Sequence, residues 1–178
     1  MKTVIIYESI YGNTRQVADE LAAVAGENGE VDMVPAERAD RASLDGADLV
    51  LIGGPTHCHG MSSKATRRSG RSGSDAGVEV SPGPDVPGPG LRDWFRVVGM
   101  VDGVSAAAFD TRLDGPELMT GRASVGIGRR LRHYGFTEVA APRSFLVTRD
   151  DRLVDGETER AHQWAESVFE SLLVDMAH

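Results

Sequence analysis

The chain has one cysteine, Cys58, in 178 residues. A single cysteine cannot close an internal disulfide, so nothing marks a secreted, disulfide-stapled scaffold. Long apolar runs are also missing. None approaches the roughly 20 residues that a membrane helix requires. The opening MKTVIIYESIYG has too short an apolar stretch for a signal peptide and no small-residue cleavage site, which predicts a cytoplasmic protein outside the membrane. Positive charge is in deficit, with a net charge of −8. That excludes broad nucleic-acid binding, which needs a basic face, and leaves room for a basic protein partner steered by charge. There is no Gly-Lys-Ser/Thr phosphate loop of the nucleotide-hydrolase kind and no Gly-x-Ser-x-Gly elbow of a serine esterase. A phospho-accepting receiver would need clustered acids after the first strand and an aspartate ending the third. Here Glu8 stands alone and the third strand runs into Gly53 and Gly54.

What is present is an alternation of short apolar runs and helical stripes. Residues 3 to 7, TVIIY, are β-branched and apolar and predict a strand buried on both faces. Val17, Leu21 and Val24, with Ala18, Ala22 and Ala25 beside them, form one face of a helix closed by Gly26 and Gly29. VDMVPA predicts a second strand, and residues 47 to 55, ADLVLIGGP, a third that ends in glycines. Leu91, Trp94, Phe95 and Val98 carry helical spacing. A fourth strand is expected over residues 104 to 110, and a helix follows with Ala123, Ile127, Leu131 and Tyr134 inward and Gly135 as its C-cap. EVAAPRSFLVT predicts a fifth strand interrupted near Pro142. The last helix carries Ala161, Trp164, Ala165, Val168, Phe169, Leu172 and Leu173. Residues 62 to 90 are rich in Ser, Gly and Pro, with Lys64, Arg67, Arg68 and Arg71 among them, and predict a flexible insertion in a single domain spanning 1 to 178.

Alternating strands and helices predict a parallel sheet covered on both faces, because each crossover is right-handed and lays its helix on one face. Ligands then sit beyond the C-terminal ends of the strands, at the switch point. Three segments fall there: ESIYGNT, GGPTHCHGM and DTRLDGPEL. The first places Ser9, Ile10, Tyr11, Gly12, Asn13 and Thr14 at the mouth of a helix with no Lys or Arg among them. Backbone N–H groups and hydroxyls can hold a phosphate there without a cation. In the second, His57 and His59 of an extended HCH would share one side with Cys58 opposite. No further Cys or His pair completes a structural zinc set, so no metal is expected. Cys58 has no partners that would make it a catalytic nucleophile, and no catalytic residue is assigned.

The first turn resembles the Ser-x-Thr-Gly-x-Thr phosphate loop of flavodoxins through Ser9, Gly12 and Thr14, with Tyr11 in the usual threonine position. The second is similar to the Pro-Thr-x-x-Gly-x-Met pattern of flavodoxin-like NAD(P)H:quinone oxidoreductases through Pro55, Thr56, Gly60 and Met61. The resemblance implies a flavodoxin-like three-layer α/β/α sandwich with a five-stranded parallel sheet of order 2-1-3-4-5. It implies bound FMN, with phosphate on Ser9 to Thr14 and the ring between Pro55, Thr56, His57 and Cys58 on one side and Phe109, Asp110, Thr111 and Arg112 on the other. The implied activity is electron carriage to a redox partner protein, or reduction of a small quinone by NAD(P)H. The alternative is a domain of the same fold that holds no flavin and acts through the insertion.

Overall fold

A computed structural model describes residues 1–57, 60–61 and 89–176. The expected insertion therefore lies outside the described residues, except for Pro89 and Gly90. In chain order the elements are β1 (Lys2–Tyr7), α1 (Asn13–Asn28), β2 (Glu30–Pro35), β3 (Leu49–His57), β4 (Gly60–Met61), α2 (Leu91–Val97), β5 (Ser105–Leu113), α3 (Glu117–Thr120), α4 (Ala123–His133), β6 (Thr137–Glu138), β7 (Arg143–Val147) and α5 (Glu157–Met176).

The sheet order is β2-β1-β3-β5, and the fifth lane is shared by two short strands. β6 pairs with β5 at Ser105 and Ala106, and β7 pairs with it from Phe109 to Leu113. All of these pairings are parallel; only β4 runs antiparallel, folding back on the end of β3. This is the expected 2-1-3-4-5 arrangement, with the fifth strand broken just before Pro142, which has no N–H to give a ladder.

The sheet separates two apolar clusters. Even-numbered residues of β1 (Val4, Ile6) face Trp94, Phe95, Ile127 and Leu131 of α2 and α4. Odd-numbered ones (Ile5, Tyr7) face Val17, Leu21, Trp164 and Phe169 of α1 and α5. The period of two along the strand thus assigns each side chain to a layer. The α1 stripe packs as its spacing predicts, though the helix runs through Gly26 and stops only at Gly29, whose φ of 152° suits glycine. The α5 stripe is buried except for Leu173, which is 55% exposed.

The glycines of β3 do not end it. The strand continues to His57, with Gly53 opposite Phe109 and Gly54 opposite Asp110. A methyl group on Gly53 would lie 2.2 Å from the Phe109 ring, and one on Gly54 would lie 2.9 Å from Leu91. Each glycine is a slot for a large side chain, one on either face of the sheet.

Candidate functional site

The parallel register brings the ends of β1, β3 and β5 side by side, with Tyr7 beside Gly53 and Pro55 beside Thr111. Residues 8 to 12 leave β1 and enter α1. Glu8 anchors the start of this turn: its N–H donates to the Gly53 carbonyl at 2.9 Å, and its Oε2 accepts the Leu91 N–H at 3.0 Å. Gly12 then turns the chain with φ 90°, and a Cβ there would meet nothing within 4 Å. The glycine is needed for backbone conformation and not for space.

The helix that follows has no side-chain cap at Gly12. Gln16 donates back to the Gly12 carbonyl at 3.0 Å, and Arg15 N–H reaches Ser9 Oγ at a long 3.3 Å. The N–H groups of Asn13 and Thr14 have no acceptor among the described residues. They stand at the positive end of a 16-residue helix. Below them the side chains are fixed. Asn13 Nδ2 donates to the Asp151 carbonyl at 3.1 Å, while its buried Oδ1 has no partner among the described residues. Thr14 Oγ1 lies 2.7 Å from Thr111 Oγ1 in a buried contact that joins the start of α1 to β5. One hydroxyl hydrogen serves that contact and the other stays available. Ile10 is half-buried, and Tyr11 is 40% exposed. Partial burial, and then the charge of Asp151, hold the Tyr11 phenol above its ordinary pKa. A cleft of about 630 Å³ opens beside the turn, lined by Ser9, Ile10, Gly12 and Arg15 and by Met33 and Glu37 from the β2 side.

At the end of β3, Pro55 is buried and Thr56 is half-buried. Thr56 Oγ1 accepts the N–H of Ala123 at 2.9 Å. His57 closes β3 and pairs with Gly60, while Cys58 and His59 lie outside the described residues. The third segment differs from expectation in its length: the strand expected to end at Asp110 runs on to Leu113, so Thr111 and Arg112 lie inside β5 with Phe109 and Asp110, and all four are buried. Phe109 is fully buried over Gly53, its ring 6.2 Å from that of Trp164. Asp110 Oδ2 accepts the Ser124 N–H at 2.6 Å. Burial pushes the Asp110 carboxyl above its usual range, opposed by hydrogen bonding from Ser124, the nearby Ser144 hydroxyl and the Arg122 charge. Its Oδ1 and the Ser124 hydroxyl nevertheless lack a hydrogen bond of good geometry. Arg112 turns back on its own strand end, donating to the Gly115 carbonyl at 2.8 Å and to Thr120 Oγ1 at 3.0 Å.

The sequence does not reveal that the first two N–H groups of α4 are capped by Thr56 and Asp110 from two different strands. The only local trace is that no Ser, Thr, Asp or Asn occupies the N-cap, where Arg122 stands instead.

Residues 4–67 match the family model described as a flavodoxin domain. No curated protein matches the chain by sequence. Among solved structures, oxidised flavodoxin 1 from Bacillus cereus is 20% identical, with 96% of this chain and 98% of that chain covered and a TM-score of 0.68. Flavodoxin from Streptococcus pneumonia TIGR4 is 15% identical, with coverages of 96% and 99% and a TM-score of 0.66. A flavodiiron core from Synechocystis is 15% identical over 98% of this chain but only 36% of its own, with a TM-score of 0.61. Among the described residues no helix is long and apolar enough to cross a membrane. With its β2-β1-β3-β5 sheet and its glycine turn opening onto α1, and with a flavodoxin-domain match over residues 4–67, the chain has the flavodoxin-like fold.

Proposed function

We propose that the chain binds FMN and passes electrons to a redox partner. One observation carries the reading: two unpaired N–H groups, on Asn13 and Thr14, stand at the start of α1, where strand order reverses beside β1. An anion there gains the helix dipole and two hydrogen bonds with no cation needed. The Ser9 hydroxyl and the second hydrogen of the Thr14–Thr111 pair add donors. Pro55 and Thr56 from the end of β3, and Thr111 and Arg112 from the end of β5, border the remaining space, with Arg112 the cation on that side. The flavin, when bound, supplies the hydride and single-electron chemistry. The protein holds the phosphate and sets the charge around the ring.

Gly12 separates charge from strain in the test. Asn and Asp both tolerate positive φ, so Gly12→Asn and Gly12→Asp carry similar backbone cost and differ mainly in charge. A visible absorbance titration with FMN is expected to saturate for the native chain, to survive in Gly12→Asn and to weaken by about tenfold or more in Gly12→Asp. No perturbation of the flavin bands by the native chain at tens of micromolar FMN refutes the reading. NAD(P)H oxidation by the loaded protein with a quinone then separates a small reductase from a pure carrier.

The burial of Phe109 favours a second reading. Its ring is fully buried against Gly53 and cannot stack on a flavin, which removes one aromatic contact worth about 0.5–1.5 kcal/mol. A domain that holds no flavin and acts as an interaction module fits that loss, and the same titration decides between the two.

A further inference from the structure

On the β7 side of the segment that follows β5, four arginines from different parts of the fold line one cavity of about 230 Å³. Arg112 comes from β5, Arg122 from the residue ahead of α4, Arg143 from β7 and Arg160 from α5. Such a cluster is unexpected in a chain of net charge −8, because gathered like charges repel unless an anion sits among them.

The acids nearby answer this only in part. Glu117 reaches over from α3 and lies 3.8 Å from Arg112 Nη2 and 3.6 Å from Arg122 Nη1. Both are well beyond the roughly 2.7–2.9 Å of a charge-assisted hydrogen bond. Glu157 is held by Arg160 and spends Oε2 on the Leu146 N–H at 2.8 Å. Asp110 faces Arg122 from below but is committed to the Ser124 N–H. The Arg143 side chain has no partner among the described residues. Arg112 is nine-tenths buried, yet its Nε–H has no acceptor among the described residues. Ser144 Oγ stands at the wall as a further polar group, 3.3 Å from Arg122 Nε. Planar guanidinium forks match phosphate oxygens in pairs, and a cavity of this size suits a group of that dimension.

We propose that this cavity binds a phosphate-class dianion, free or as a monoester on a nucleotide, held by Arg112, Arg122, Arg143 and Arg160 once it displaces Glu117. Glu117 is the internal stand-in: its contacts are loose, and it is 56% exposed, so it can swing into solvent. The site shares only Arg112 with the stretch set beside the flavin, and it does not depend on flavin being bound.

Calorimetric titration of the full chain with inorganic phosphate and with 2′,5′-ADP, at about 0.15 M chloride, tests it. Both probes could also reach the α1 turn, so the titrations are repeated on Gly12→Asp, which repels anions there, and on Arg143→Ala, which removes a side chain with no structural partner. The expected result is one-to-one binding that persists in Gly12→Asp, weakens about tenfold or more in Arg143→Ala and tightens severalfold in Glu117→Gln, where the internal competitor has lost its charge. A nucleotide monoester that binds more than about tenfold tighter than phosphate identifies a nucleotide ligand; equal affinities identify the free anion. No binding of either probe at millimolar concentration overturns the proposal. So does binding that vanishes in Gly12→Asp and is unchanged in Arg143→Ala, an outcome that instead supports the anion site at the α1 turn.

Discussion

Substituting Gly53 by alanine adds one methyl group at the centre of the sheet, directly beneath Phe109. That methyl would lie 2.2 Å from two ring carbons, where ordinary contact begins near 3.4 Å, so the ring must retreat by about 1.2 Å. β3 cannot yield instead, because β1 and β5 hold it on both sides. Phe109 in turn backs onto Trp164 and is fully buried. Overpacking of this kind costs about 1–3 kcal/mol. In a chain of this length that corresponds to a fall in Tm of about 2–12 °C. Phe109→Ala alone should cost about 3–5 kcal/mol through the cavity it leaves. The two changes touch the same space, so they should not add. The methyl of Gly53→Ala occupies part of the void left by Phe109→Ala, and the double variant should be at least about 1 kcal/mol more stable than the sum predicts. Urea unfolding of the four proteins closes this cycle. Additive effects would show that Phe109 does not rest on Gly53 and would refute the packing described for β3.

Other outcomes follow from the same region. Asp110 is an acid whose folded pKa is raised, so it costs the folded state increasingly as pH climbs from the unfolded value near 3.8 through the higher folded one. Asp110→Asn should flatten that segment of the stability–pH profile and leave the neutral-pH protein at least as stable; a variant whose profile is superimposable on the native one would exclude Asp110 as the titrating group. Thr56→Val removes the acceptor for the Ala123 N–H and should cost about 1 kcal/mol, with faster amide exchange at the start of α4. Unchanged exchange at Ala123 would argue against that cap.

Much of this architecture is legible in the sequence, and the failures are instructive. Val17, Leu21 and Val24 declare α1 because a 3.6-residue repeat has one geometric solution. Gly53 and Gly54 look like a strand end because glycine usually punctuates chains, yet here they are spacers for Phe109 and Leu91, residues distant in sequence. Thr111 and Arg112 look like a polar loop because burial of such groups needs partners; Thr111 finds its partner in Thr14, far away in sequence, and Arg112 is satisfied in part by the turn that follows it, at Gly115. At the α1 turn the opposite holds. Gly12, Asn13 and Thr14 are local, so their role as an anion-ready helix start can be read directly, while the four-arginine cavity, assembled from four separate stretches, leaves no pattern at all.

The break in the fifth lane also bears on how the molecule behaves when crowded. An exposed strand edge is a template for another chain, and long flat edges are where sheets join and aggregate. Among the described residues this sheet offers none. One rim is divided into a two-residue and a five-residue piece, with Pro142 before the second. The opposite rim is the six-residue β2, which carries Glu30 and Asp32 and ends at Pro35. Incoming strands therefore meet interruptions on one side and negative charge on the other. Mutations that heal the fifth lane, such as Pro142→Val, would lengthen a continuous edge and are the changes to avoid in concentrating this protein.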